Sequence, residues 1–570
     1  MAEVIISPGV FQQETDQSFY TATPQVVGAA LVGPTVLGVP FVPTYVTNYN
    51  QFKTLYGETF KSGSYYYEYW TSLAAKDYFA NGGQTMLVTR IISGSANVST
   101  YASASVTASG IGANSFTLET LAWGNIMNNS GSMTSGTLDL GTAQNVRWEV
   151  AYSDTSSGIF TLLIRRGDDT TSQKNVLETW SNMSLDPQLP NYIGRVIGDI
   201  KPIPDVSTGT ITYNGDYSNK SAYVRVRNIY PMVDSLDNNG TFKSSSYAAY
   251  MPALGSGSIG GAFNGGVADT NVTKNMYESA SVTNLQGFAQ GDYVNAFRFL
   301  TDKDNFQFNV LLAPGVGLDA TTAANKAIET VENRGDSVFI ADAGVYGTSI
   351  NSAVSNAANY TSNYAATYYP WVSLYSAGLG KSVWCPPSTV IGGVLAYNDS
   401  TTAEWFAPAG LNRGGIPSVV NAERRVQQTD RDTLYSGRIN PIATFPGVGV
   451  CVWGQKTLQK KPSALDRLNV RRLLIALKGF IGGVARTLVF EQNTTATRNR
   501  FLAQVNPYLS SVVQRQGLYA YKVIMDATNN TPDIVDRNQL VGQIYIQPTK
   551  TAEFVILNFN ILPTGATFPA

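Results

Sequence analysis

Between residues 26 and 92 short apolar runs flank one stretch of helical periodicity. Residues 26–32 and 86–92 are nearly continuous in apolar side chains, the pattern of strands buried on both faces. Between them Tyr66, Tyr69, Trp70, Leu73 and Ala74 recur at helical spacing, which predicts a helix over 65–79 that Asn81-Gly82-Gly83 ends. From residue 93 to about 287 Ser, Thr, Gly and Asn take over, with short β-prone runs such as 146–150 and 160–164 set between turn residues. This reads as an all-β insertion, and 255–266, nearly all Gly, Ser and Ala, as a loop within it.

The α/β pattern resumes near residue 291. A strand over 306–312, an amphipathic helix over 319–333 and a strand over 337–340 predict a parallel crossover. Past Gly517 the chain turns to β again, with strands expected at 521–525, 540–546 and 554–561. In the last of these Val555, Leu557, Phe559 and Ile561 alternate on one face. At the other end Val4, Ile5 and Ile6 form a β-prone run that the turn Ser7-Pro8-Gly9 closes. A terminal strand with no adjacent hairpin partner must pair far away or with another molecule. The fold class expected is α+β and multidomain.

Composition narrows the function more than it narrows the fold. The chain has 570 residues, with 39 Lys and Arg against 40 Asp and Glu, a net charge of −1. That balance argues against a nucleic-acid coat or a polybasic membrane binder. Charged residues are only 14% of the chain and 32 are Tyr, which suits a protein that covers much of its surface with a partner. There is no His, which removes Ser-His-Asp and Cys-His catalysis, His-ligated zinc and a histidine pH switch. Two cysteines, Cys385 and Cys451, make neither a metal site nor a disulfide framework. No signal peptide is legible at Met1-Ala2-Glu3-Val4, and no apolar run is long enough for a membrane helix.

Three patterns could carry chemistry. Ala313-Pro314-Gly315-Val316-Gly317 follows a strand as a phosphate-binding turn would, but it lacks a third glycine at the right spacing and a Walker lysine, so a structural turn is the favoured reading. Asp399 with Glu404, and Asp430 with Asp432, are close carboxylate pairs of the kind glycosidases use, although 40 acidic residues produce such pairs by chance. The third is a helix predicted from a Ser463 cap to Gly479. It carries Val470, Leu473, Leu474, Leu477 and Ile481 on one arc, and Arg467, Arg471 and Lys478 on one stripe. It lies in a basic region, residues 411–520, with 16 Lys and Arg against 5 Asp and Glu. Such a stripe is either a solvated face or a surface for an acidic partner.

Several phrases together resemble the contractile-tail sheath proteins of bacteriophages. Ser7-Pro8-Gly9-Val10-Phe11-Gln12-Gln13-Glu14 is similar to that family's opening arm. Glu404-Trp405-Phe406-Ala407-Pro408-Ala409-Gly410-Leu411-Asn412-Arg413-Gly414 is similar to its Trp…Pro-Ala-Gly…Arg-Gly block. Leu434 with Ile439-Asn440-Pro441-Ile442, then Phe445-Pro446-Gly447-Val448-Gly449, then Val452-Trp453-Gly454-Gln455-Lys456-Thr457-Leu458, and last Asp466-Arg467-Leu468-Asn469-Val470-Arg471-Arg472-Leu473 follow in the family's order. Between about residue 198 and residue 287 nothing matches.

The resemblance implies a subunit of stacked hexameric rings around a tail tube. Contraction from a metastable extended state would drive the tube through the host envelope for genome ejection. It implies a linking arm over 1–25, the first part of an α/β core over 26–95, an outward β-rich insertion over 96–287, the core continued over 288–415 and an inner C-terminal domain over 416–570. Arg467, Arg471 and Lys478 would face the tube. Val4, Ile5 and Ile6, and Val555, Leu557, Phe559 and Ile561, would pair into neighbouring subunits. The expected partners are the chain itself, the tail tube protein and the baseplate and tail terminator proteins, with no direct nucleic-acid contact and no membrane insertion. No enzyme activity, cofactor or metal is implied, and the expected location is the virion, with assembly in the host cytoplasm. A tailocin or other contractile injection system would use the same subunit. A β-rich carbohydrate-binding or carbohydrate-cleaving surface protein is the alternative from another class, since Ser, Thr, Gly and tyrosines suit sugar stacking.

Overall fold

The computed structural model describes residues 28–62, 65–92, 101–129, 133–266 and 281–553. Val4, Ile5 and Ile6 of the first expected linking strand, and Val555, Leu557, Phe559 and Ile561 of the last, lie outside the described residues.

Eight strands form the central sheet: β1 (Ala29–Gly33), β2 (Thr44–Val46), β3 (Met86–Arg90), β4 (Val310–Gly317), β5 (Val338–Asp342), β6 (Ala365–Tyr369), β7 (Asn440–Phe445) and β8 (Gly449–Val452). Their order is β2-β3-β1-β4-β5-β6-β7-β8. The six inner strands, β3 to β7 in that order, pair in parallel. The edges β2 and β8 pair antiparallel. Every residue of β1, β3, β4, β5 and β6 is buried, so helices must cover both faces. The cover comes from two helix pairs. α1 (Trp70–Ala80) packs on α4 (Ser388–Thr401), and α2 (Gln290–Phe299) on α3 (Thr321–Arg334).

The expected α/β core is therefore present, and the predicted crossover is the unit β4-α3-β5. Two boundaries differ from the sequence reading. Residues 65–68 are not the first helical turn but a strand paired with Thr59–Ser62. The strand predicted over 306–312 begins only at Val310. Just before it, Arg334 donates to the carbonyl of Phe306 and the Gln307 amide donates to the Tyr45 hydroxyl, so the backbone is tied to side chains until Asn309 joins the neighbouring strands.

The insertion is β-rich, as its composition predicts. Tyr101–Thr107, Asn114–Trp123 and Val224–Arg227 form one three-stranded sheet, and Val146–Asp154, Ile159–Arg166 and Val176–Met183 another. Its buried side chains join those of the central sheet in a single cluster, with Phe116 stacked on Phe160 at 5.7 Å inside it. The chain ends in a separate unit: α5 (Leu468–Arg486), α6 (Thr495–Gln514) and a ribbon of β9 (Leu518–Ile524) with β10 (Gln543–Pro548). This unit has its own core, built on Trp405, Leu473, Leu477, Phe501, Val505, Leu509 and Leu518. No helix among the described residues is long and apolar enough to cross a membrane.

Candidate assembly surface

The C-terminal unit collects the residues that the sequence singled out. Ser463 caps only a short turn, Ala464–Asp466, by accepting from the Leu465 amide. The helix itself starts at Leu468 and runs through Gly479 to Arg486. A Cβ at Gly479, Gly482 or Gly483 would meet nothing within 4 Å, and none of the three has positive φ, so these glycines continue the helix instead of ending it. Of the predicted apolar arc Val470, Leu473 and Leu477 are buried and Leu474 and Ile481 are half-buried against the C-terminal core, but Asn469, Arg471, Arg472 and Ile475 are buried as well, so the first turns are enclosed on every face. Beyond Leu477 only one face stays packed, with Phe480 stacked on Tyr508 at 3.8 Å and Ile481 and Val484 against the C-terminal core, while Lys478 and Arg486 are exposed on the other face.

The three cations of the predicted stripe occupy three environments. Arg467, just before the helix, forks onto Glu553, with Nε to Oε1 at 2.6 Å and a terminal nitrogen to Oε2 at 3.0 Å. The Tyr435 hydroxyl and the Gln455 amide donate to the same carboxylate, at 2.7 and 3.2 Å. Burial works against both charges, yet their hydrogen bonds outweigh it, so Glu553 is held below the usual carboxylate range and Arg467 above its own. Arg471 is buried with its guanidinium 4.1 Å from the Tyr364 ring centre, and burial lowers its pKa. Lys478 alone of the three is exposed. Equal angles on a helical wheel do not mean equal depth.

Two features of this unit left no mark in the sequence. Arg472, also buried, pairs both terminal nitrogens with the Asp399 carboxylate at the end of α4 and so ties α5 to the core. Glu553 anchors the point from which the chain continues to the expected last strand. The ribbon is the other assembly feature. Ile544 and Ile546 lie against the C-terminal core while Tyr545, Tyr519 and Gln547 face out. Among the described residues neither outer edge of the ribbon has a strand partner, so two rows of backbone donors and acceptors are open to another chain. Between α5 and α6 stands Phe490, fully exposed next to the exposed Val489.

The remaining candidates fold into structural roles. Gly315 has φ +94° and its amide donates to the Asp342 carboxylate at 3.1 Å. A Cβ there would sit 2.7 Å from the Trp70 ring. The turn is thus filled by an acid and an indole, where a phosphate would need empty space and positive charge. Asp399 is spent on Arg472, and burial pushes Glu404 up. Asp430 accepts from the Gln427 amide at the start of the helix Gln428–Ser436, and Asp432 is exposed. Cys385 and Cys451 are both buried and unbonded to each other. No cluster of His, Cys, Asp or Glu among the described residues could hold a metal ion.

Asp342 gives a pH prediction. Burial pushes its carboxyl up to about 7, against the bonds from Ser388 and Gly315 that lower it, and burial pushes Asp77 up to about 6. Both groups start from 3.8, so the folded chain holds protons that the unfolded chain has released. Their contribution to stability is whole below the unfolded value and is lost as pH rises through 6 and 7. The chain is expected to melt at a higher temperature near about pH 5 than near about pH 8. Asp342→Asn, which cannot ionise, is expected to flatten that slope in thermal melts.

Comparison with known proteins bears on both halves of this surface. Residues 286–458 match the phage tail sheath protein central domain, and residues 460–562 the phage tail sheath C-terminal domain. The tail sheath protein of Enterobacteria phage T4 is 32% identical over 299 residues, which cover 49% of this chain. The tail sheath protein of Vibrio phage KVP40 is 30% identical over 426 residues, which cover 66% of it. The chain spans 45% and 61% of those two relatives' own lengths. A sheath tail protein from Listeria innocua, known from a crystal structure, shares the fold with a TM-score of 0.52 at 11% identity, over 92% of this chain and 95% of that one.

Proposed function

Because the chain belongs to the contractile-tail sheath family through its central and C-terminal domains, we propose that it is the structural subunit of a contractile tail sheath. In this reading it polymerises as stacked hexameric rings around a tail tube and contracts from an extended state. Contraction drives the tube through a host envelope for genome ejection. The observation that carries the reading is the ribbon β9-β10, neither edge of which has a strand partner among the described residues. An exposed edge recruits a strand from elsewhere, and the chain carries β-prone runs at each end, Val4 to Ile6 and Val555 to Ile561, to serve as those strands in neighbouring subunits. Main-chain ladders of this kind hold while the bodies turn, because the connecting segments bend and the paired strands stay paired. Glu553, clamped by Arg467, Tyr435 and Gln455, roots one of the two links on the body.

The energy for contraction comes from repacking subunits and needs no nucleotide, consistent with a glycine turn that is filled by Trp70 and Asp342. The partners of this subunit are its own copies, the tube protein and the baseplate and terminator proteins, in a virion assembled in the host cytoplasm. The tube-facing surface is the exposed face of the second half of α5, where Lys478 stands, while Arg467 and Arg471 hold the helix on the body.

Deleting residues 1–20 is expected to leave folded monomers that no longer form cylinders in negative-stain electron microscopy, whereas the intact chain forms hollow cylinders with six-fold end views. Intact cylinders from the deletion would refute the linking role of the arm. Lys478→Glu is expected to leave the melting temperature and self-assembly unchanged and to impair assembly on the tube. Arg471→Glu, in contrast, is expected to lower the melting temperature, because it sets a carboxylate into a buried position against Tyr364.

A further inference from the structure

A cavity of about 560 Å³ lies between the first α/β segment and the β-rich insertion. One wall is built from Leu37, Val39 and Tyr56, the other from Leu121, Met127 and Arg225. This size is ordinary for a small-molecule pocket.

Arg225 is the unusual member. It sits on the strand Val224–Arg227, directly across the ladder from Glu119, and its Nε donates to the Glu119 carboxylate at 2.8 Å. The face of its guanidinium lies 4.7 Å from the Tyr101 ring centre. The residue is wholly buried, and neither terminal nitrogen has a hydrogen-bond acceptor. Four of the five N–H groups of a guanidinium are on those two nitrogens. Leaving them unpaired away from water is costly; both are closed to water as the side chain stands, so an acceptor entering from the cavity that Arg225 lines removes the cost once the guanidinium turns toward it. Arg471 also lacks acceptors at two nitrogens but does not line this cavity, while Arg147, Arg165, Arg334 and Arg472 all have carboxylates.

The surroundings favour an anion. The Lys201 ammonium lies 4.0 Å from the same Tyr101 ring, and burial followed by repulsion from Arg225 and Arg227 pushes its pKa down to about 8. Lys201 does not itself line the cavity, but Lys53 does. The acids nearby are engaged, Glu119 with Arg225, Glu58 with the Tyr49 hydroxyl at 3.0 Å and Glu178 with the Ala222 amide at 2.8 Å and the Ser221 hydroxyl at 2.6 Å.

We infer that this cavity binds a small organic oxyanion, whose carboxylate or phosphate meets the two terminal nitrogens of Arg225 and whose apolar body rests on Leu37, Val39, Leu121 and Met127. The bidentate match of guanidinium to oxyanion supplies the specificity. Because the cavity joins the α/β segment to the insertion, its occupant ties the two together.

Titration calorimetry and thermal shift on the full chain test this with three probes of one shape: benzoate, phenyl phosphate and benzyl alcohol. Benzoate or phenyl phosphate is expected to bind saturably and raise the melting temperature, and benzyl alcohol is not; the stronger of the two anions identifies the headgroup. Arg225→Met combined with Glu119→Gln removes both charges together and is expected to weaken anion binding about tenfold or more. Ala122→Phe, which fills the cavity and leaves Arg225 in place, is expected to abolish it. The inference is overturned if no probe binds, if benzyl alcohol binds as well as the anions, or if the filled variant still takes them up. The probe comparison needs no variant, so a misfolded double mutant leaves the test intact. Polymerisation is not a readout, so the outcome is separate from that of the sheath assignment.

Discussion

Asp399→Ala is expected to lower the unfolding free energy by about 3 kcal/mol in chemical denaturation. The reason is an asymmetry of burial across one ion pair. The Arg472 side chain is 3% exposed and that of Asp399 27%. Removing the carboxylate strands a cation that water cannot reach, and the cost falls at the lower end of what broken buried pairs show because Glu404 lies close enough to compensate in part. Removing the cation leaves a carboxylate that solvent still touches. Arg472→Met is therefore expected to cost clearly less than Asp399→Ala. The double replacement Asp399→Leu with Arg472→Met is expected to fall near the intact protein, since a buried pair barely repays its desolvation. Equal costs for the two single variants would mean that the pair does not hold α5 on the core as described.

Trp70→Ala is expected to cost about 3–5 kcal/mol, measured the same way. Trp70 opens α1, is wholly buried, and fills the space at the end of β4 where the Gly315 backbone approaches it. Its ring meets Trp371 edge-on at 5.2 Å and its indole N–H donates to the Trp384 carbonyl at 3.0 Å. Loss of the ring opens a large cavity beside the buried carboxylate of Asp342, and also orphans a carbonyl. Trp70→Phe keeps most of the volume and is expected to cost less than half as much. A milder effect of Trp70→Ala would show that the neighbouring tryptophans can collapse into the gap.

The location of Trp70 also explains why the glycine turn has no ligand chemistry. In open parallel sheets ligands settle outside the carboxyl ends of strands, where the strand order reverses direction. Here the sheet runs from β1 to β3 on one side and to β4 on the other, and the crevice beside β4 is occupied by Trp70, Trp371 and Asp342. A fold able to hold a nucleotide has packed that position with its own side chains.

Local pattern alone determined the element types that packing then had to accommodate. Continuous apolar runs marked β1, β3 and β5, the 3.6-residue period marked α3, and Ser, Thr and Gly marked the β-rich insertion, because burial on two faces, on one stripe or on alternate residues each leaves its own period in the sequence. The ordered phrases from Glu404 to Leu473 were legible for the same reason, since they are contiguous in the chain. What tertiary structure decided was everything that joins distant segments. Ala29, Ala30 and Leu31 pair with Val310, Leu311 and Leu312 across the whole insertion. Arg467, Arg471 and Lys478 share a stripe by angle, yet Glu553 and Tyr364, remote in sequence, decide which of them is held inside. The depth of a side chain and the charge of its partner depend on which segments are brought together in space, and no window of the sequence contains that information.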